Sequence, residues 1–256
     1  MMNRNNIFDV GAFNGLDGLA LAIINPKIMV HAFEANPDLI KLIKINKKKI
    51  ELYKKIKIKN YKINNFAVTN KNCTLNFNIA KNPTVSSLNN FSKNIDKTWP
   101  GYREAHCTII KKIKVKGITL AKYCKDNGIE NINYLHIDTQ GNDLKVLEGL
   151  KKEIKKVQRG VLEAAINKKK SLYETNHTLK DIKKFLKKKS FSILKIENVD
   201  KNISYEKNVF FIKKNLKQKK NINTNYNIRY YNRIISNNIN FKDIFIDYIK
   251  RYFLAK

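Results

Sequence analysis

Cysteine and arginine are scarce in this sequence, and its last third lacks proline and glycine altogether. The three cysteines, Cys73, Cys107 and Cys124, are odd in number, widely spaced and form no CxxC pair. They give no basis for a disulfide framework or a zinc site, and a reducing cytoplasm is the compartment they imply. No apolar run approaches the roughly 18 residues that a membrane span needs. Residues 1–6 are polar and lead straight into a strand-like run, without a secretory leader pattern. All four prolines lie at or before Pro100 and all nine glycines between Gly11 and Gly160, so the tight turns belong to the first two thirds.

Acidic residues are few, 21 against 52 basic ones, for a net charge of +31. That excess would ordinarily point to a nucleic acid or an anionic membrane. Only six of the 52 basic residues are arginine, however, and phosphate and base recognition favours its planar fork. Lysine, asparagine and isoleucine, all with A/T-rich codons, are abundant together. A compositional origin of the charge is favoured over a binding footprint, and nucleic acid is disfavoured as a partner.

What is present is an alternation of strands and helices. A strand over Ile7–Val10 passes through a glycine loop into a helix over Leu16–Ile24. Further strands are expected over Ile28–Phe33, Ile58–Val68, Cys73–Ile79, Thr108–Val115, Ile132–Asp138, Val157–Ala164, Phe191–Ile196 and Asn208–Ile212. Further helices fit Asp38–Ile50, Leu120–Asn127 (stopped by Gly128), Asp143–Leu150 and Leu179–Lys188. Lys81–His106 reads as a long loop, of the kind that often forms a lid or binding surface. The fold class is α/β, with a doubly wound, mainly parallel sheet. Such sheets bind ligands at the carboxyl ends of their strands.

The chemistry gathers at those strand ends. Asp9-Val10-Gly11-Ala12-Phe13-Asn14-Gly15 is D-x-G-x-x-x-G at a strand-to-helix turn. It serves as a ligand loop or simply as a tight turn, and its spacing is not that of a dinucleotide fingerprint. Glu34 ends the second strand and is suited to accept hydrogen bonds from a ribose diol. A capping or surface role is its alternative, although Asn36-Pro37 already looks like an N-cap followed by a proline at the first helical position. Asp138 ends another strand as a ligand contact, a general base or a helix cap, and Glu163 ends the next. His31 reads as a core histidine. His136 shares a sheet face with Asp138, and His106 and His177 lie near the expected mouth. No metal motif is present; a magnesium cluster of Asp138, Asn142 and Glu163 stays open but unsupported, because Mg²⁺ binds through few protein ligands and is hard to read from spacing.

Taken in order, DVGAFNG, FEANP, Asn65-Phe66-Ala67-Val68, Ser86-Ser87-Leu88, HIDTQGND, VLEGL and the later VLE resemble the FkbM-type methyltransferase family over about residues 6–213. The resemblance implies a class I methyltransferase Rossmann-like fold and S-adenosylmethionine as cofactor. It also implies O-methylation of a hydroxyl on a sugar, glycan or related small molecule. It places Asp9, Gly11 and Gly15, with the adjacent Asn14, at the methionine end of the cofactor. Glu34 falls on the ribose, Asn65 and Ala67 near the adenine, and Asp138 at the methyl-transfer site. Asp138 is then the first choice as base or orienter and Glu163 the second. The sequence departs from the family at Phe13, where Asn is common, and at Ala35, where Pro is usual. His136 and Thr139 replace Lys and Val, and Asn142-Asp143 replaces Ala-Glu. The first strand begins almost at residue 1, so N-terminal helices that would cover the acceptor are not expected.

The rival enzyme is an RNA methyltransferase, against which the chain has no N/D-P-P-Y segment and no Pro-Cys pair. The rival from another class is a non-catalytic membrane-surface or protein-binding module that keeps the fold. Residues 1–213 are expected to form the methyltransferase domain and 214–240 a polar linker. Residues 241–256 are expected to form an amphipathic helix with Phe241, Ile244, Phe245, Tyr248, Ile249 and Tyr252 on one face. Three destinations are open to this helix: the domain's own surface, a second copy in a homodimer, or peripheral contact with an anionic membrane. Asp243 and Asp247 dilute its basic face and favour docking on protein.

Overall fold

A computed structural model of the chain describes residues 5–99, 106–174, 177–200 and 203–214, with positions 216 and 224. The expected C-terminal helix over 241–256, and nearly all of the linker, lie outside the described residues.

In chain order the elements begin with β1 (Asn6–Val10), α1 (Leu16–Ile24), β2 (Met29–Phe33), α2 (Pro37–Lys54), β3 (Tyr61–Asn64), β4 (Ala67–Val68) and β5 (Thr74–Ala80). There follow α3 (Ile95–Thr98), β6 (Ile109–Ile118), α4 (Leu120–Asp126), β7 (Tyr134–Ile137) and α5 (Asp143–Gly149). The last are β8 (Arg159–Ala165), α6 (Leu179–Lys188), β9 (Phe191–Asp200) and β10 (Ile203–Lys213). Seven strands form the main sheet in the order β3-β2-β1-β7-β8-β10-β9. The first five run parallel, and β10 lies antiparallel to both β8 and β9. The strand order reverses between β1 and β7, where a doubly wound sheet opens its ligand crevice.

Alternation along β1 divides the core. Ile7 joins Val30, Ala32 and the apolar sides of α1 and α2 on one face. Phe8 and Val10 join Phe33, Leu135, Ile137 and the packing of α4 and α5 on the other. The helices start where the sequence signals them. Asn36 caps α2 by accepting the Asp38 N–H at 3.0 Å, with Pro37 at the first position. Thr178 and Asp181 close a capping box on α6.

The structure corrects one expected element. Ile58–Val68 is not a single strand but breaks into β3, at the edge of the main sheet, and β4, in a second sheet of order β4-β6-β5. Two asparagine side chains make the break. The Asn64 amide donates to the Ala32 carbonyl at 3.0 Å, and the Asn65 amide to the Glu34 and Ala35 carbonyls at 2.9 and 3.1 Å. They tie the chain to the end of β2 and turn it out of the sheet. The expected long loop is also more ordered than its composition suggests. It holds a 3-10 turn at Pro83–Val85 and the short α3, and it is pinned by bridges Asn78 to Ser87 and Phe91 to Tyr173.

Gly11 marks the tightest junction. Its φ is +86°, and a Cβ there would sit 1.7 Å from the carbonyl oxygen of Asp138. The glycine is therefore needed for the approach of β1 to the end of β7, whatever ligand lies beyond. Gly11→Ala is expected to destabilise the fold by about 3 kcal/mol or more, measured by urea unfolding. A loss below about 1 kcal/mol would contradict this reading of the junction.

Candidate active site

Parallel register fixes which side chains meet. Asp9 pairs with His136 across β1 and β7, and His136 with Val161 across β7 and β8. Residues two apart share a face, so Asp9, His136, Asp138 and Glu163 lie along one face at the strand ends. On β10, Asn208 pairs with Glu163, which puts Glu206 on that face too. The side chains line a cleft of about 360 Å³. Glu34, Phe66, Ala67 and Val68 line its other end, and Pro83–Ser86, Leu88 and Trp99 cover it from the strap over residues 81–99.

Asp9 is 1% exposed, and its Oδ1 meets His136 Nδ1 at 2.9 Å. Burial alone would lower the His136 pKa. The Asp9 hydrogen bond, with the charges of Asp9, Asp17 and Asp138, outweighs it and raises the pKa to about 9. The imidazole beside Asp9 is therefore held protonated at neutral pH. Asp9 Oδ2 is buried without a hydrogen-bond partner among the described residues. It lies over Gly18, where a Cβ would come within 2.5 Å of it.

Glu34 is 6% exposed. Its Oε2 accepts the Phe13 N–H at 2.9 Å and its Oε1 accepts the Asn36 N–H at 2.8 Å. Burial raises its pKa to about 7, with the Asp9 charge adding to the effect and backbone N–H groups opposing it. Phe13 delivers its N–H from a left-handed conformation, φ 49°. The loop after β1 and the end of β2 are thus locked together through one carboxylate.

Asp138 is held by Gln140, whose Nε2 donates to Oδ1 at 2.7 Å. The Gln140 carbonyl accepts the Ser87 hydroxyl at 2.7 Å, and the Tyr173 hydroxyl lies 2.8 Å from both Gln140 Oε1 and the Val85 carbonyl. Gln140 therefore joins the Asp138 carboxylate to the strap. Burial raises the Asp138 pKa, against the opposing charge of His136. Burial and the charges of Asp138, Asp143 and Glu206 push Glu163 well above the usual carboxylate range. Burial and the Asp138 charge raise Glu206 to about 7. Asp143 is raised to about 7, first by burial and then by Asp138. It accepts the Thr139 hydroxyl and the Glu163 N–H, and so braces the loop from behind.

Of the residues singled out from sequence, Asp9, Gly11, Glu34, Ala67, Asp138 and Glu163 line the cleft. Asn14, Gly15 and Asn65 lie outside its lining. Asn14 Oδ1 accepts the Leu16 N–H and Gly15, φ +77°, leads into α1. Asn65 is exposed and braces the loop after β2. His31 sits in the core between the Tyr123 hydroxyl and Asn6 Oδ1, where burial lowers its pKa to about 4. His106 and His177 do not line the cleft. Sequence reasoning missed Gln140, Trp99 and Glu206. Glu206 lies in Tyr205-Glu206-Lys207, which reads as a solvated stretch, and only its pairing with β8 turns it inward. Among the described residues no group of three or more His, Cys, Asp or Glu is arranged to hold a metal ion. No helix among them is long and apolar enough to cross a membrane.

The raised His136 pKa fixes the sign of a pH effect. A group raised from 6.5 to about 9 on folding contributes stability that is complete below about pH 6.5. That contribution is lost as the pH rises through about 9. The stability advantage of the wild type over His136→Gln is therefore expected to shrink between those limits, as read by urea unfolding at several pH values. A difference independent of pH would contradict the ion pair.

A family model described as the methyltransferase FkbM domain matches residues 9–193. No curated protein matches the chain. Among solved structures, methyltransferase FkbM from Methylobacillus flagellatus KT aligns with a TM-score of 0.50 at 12% identity, over 82% of this chain and 44% of that one. TrmK of M. capricolum, in complex with S-adenosylhomocysteine, aligns with a TM-score of 0.44 at 13% identity, over 83% of this chain and 63% of that one. Magnesium protoporphyrin IX methyltransferase from Synechocystis PCC 6803, with bound S-adenosylmethionine, gives a TM-score of 0.43 at 10% identity, over 81% and 69%. The chain spans less than half the length of the Methylobacillus protein and under two thirds of TrmK. The family match runs through β1, the Glu34 loop, the Asp138 loop and the Glu163 strand, and the chain belongs to the FkbM methyltransferase family.

Proposed function

We propose that the chain transfers a methyl group from S-adenosylmethionine to a hydroxyl of a sugar, glycan or related small molecule. The observation that carries this reading is Glu34: a buried carboxylate at the end of β2, oriented by two backbone N–H groups and opening on the same cleft as Asp9 and Asp138.

The residues fit the cofactor. Glu34 retains lone pairs beyond those used by Phe13 and Asn36, as a ribose diol requires. The Asp9 carboxylate, with an orphaned buried oxygen, supplies negative charge for an ammonium group at the other end. Phe66, Ala67, Val68, Leu39 and Phe77 give the apolar surface a purine needs. S-adenosylmethionine supplies an electrophilic methyl group on a sulfonium.

The protein's own task is to orient the acceptor hydroxyl and take its proton. Two carboxylates face that task, and their surroundings separate them. Burial raises the pKa of both; the charge of His136 opposes that rise at Asp138, whereas the charges of Asp138, Asp143 and Glu206 add to it at Glu163. That difference favours Asp138 as the base and Glu163 as a hydrogen-bonding partner for the acceptor's other hydroxyls. Asp138, Glu163 and Glu206 together disfavour a phosphodiester in this half of the cleft, and Trp99, in the same lining, gives an apolar surface for a sugar-like ring.

Transfer of labelled methyl from S-adenosylmethionine to candidate acceptors tests the reading. Asp138→Asn is expected to keep the fold and reduce turnover by about a hundredfold or more. Glu34→Ala is expected to weaken S-adenosylhomocysteine binding by about 2 kcal/mol in calorimetry. Full turnover in the first variant, or unchanged affinity in the folded second, would contradict the roles assigned.

A further inference from the structure

We infer that Asn142 reads the exocyclic amino group of the cofactor's purine, which rests on the S-adenosylmethionine reading above. Asn142 occupies the N-cap position of α5 and is 1% exposed. An asparagine there ordinarily accepts an N–H from the first helical turn, but its side chain makes no such bond. Its Nδ2 instead donates to the Val68 carbonyl at 3.0 Å. That contact fixes the amide's orientation, because the flipped form would set one carbonyl oxygen against another. Oδ1 is thereby left buried, without a hydrogen-bond partner among the described residues. A buried acceptor in that state is destabilising unless a donor reaches it.

The position says which donor. Asn142 lines the cleft beside Phe66, Ala67 and Val68, which with Leu39 and Phe77 form its apolar part. A purine attached to a ribose at Glu34 lies against this surface. Oδ1 only accepts hydrogen bonds, so it matches the amino group at C6 of adenine and opposes the oxygen of a 6-oxo purine.

The test is calorimetry of the full chain with S-adenosylhomocysteine and with S-inosylhomocysteine, its 6-oxo counterpart. The wild type is expected to prefer the amino ligand by about tenfold or more, and Asn142→Ala to reduce that preference to under about threefold. A melting curve confirms the variant's fold. Should Asn142→Ala not fold, Asn142→Ser takes its place: serine caps helices well and its hydroxyl is too short to replace the amide. Equal affinity of the wild type for the two ligands overturns the assignment while leaving the cofactor reading intact. An undiminished preference in a folded variant does the same. Binding of neither ligand by the wild type overturns the cofactor reading and this assignment with it.

Discussion

The hydrogen-bonded pair of Asp9 and His136 is the interaction on which the cleft depends. Six acidic residues (Asp9, Asp17, Glu34, Asp138, Glu163 and Glu206) line one partly enclosed space, and burying ionised carboxylates without partners is strongly unfavourable. The His136 imidazolium pairs with the most deeply buried of the strand-end acids and draws Asp138 toward its ionised form. Glu163 and Glu206 have no such neighbour, and their pKa values rise. One cation thus opposes the burial-driven rise at Asp138, while like charges add to it at Glu163 and Glu206.

The strand ends were legible because a parallel sheet buries apolar residues along its length and delivers polar ones only at its edge. Asp9, Glu34, Asp138 and Glu163 each end such a run, and each lines the cleft. The N-cap at Asn36 and the capping box at Thr178 were equally local. Less was legible wherever tertiary contacts decide. The break between β3 and β4 depends on Asn64 and Asn65 reaching carbonyls about 30 residues away. The strap over residues 81–99 lacks periodicity, and its order comes from Ser87, Gln140 and Tyr173, far apart in sequence. Gly11 was assigned to ligand approach from its motif, whereas its closest neighbour is the Asp138 backbone.

Charge is distributed with a purpose that composition hides. The chain as a whole is strongly basic, yet its cleft is lined by acids and by no lysine or arginine among the described residues. A net charge of +31 therefore says little about the acceptor. The local field in the cleft is set by Asp138, Glu163 and Glu206 rather than by the charge of the whole chain.

The most direct measurement is a crystal structure of the chain with S-adenosylhomocysteine. The account predicts the ribose hydroxyls on the Glu34 carboxylate, the amino acid end beside Asp9 and the Gly11 loop, and the sulfur facing Asp138. A ligand seated outside the cleft, or a ribose with no contact to Glu34, would contradict it.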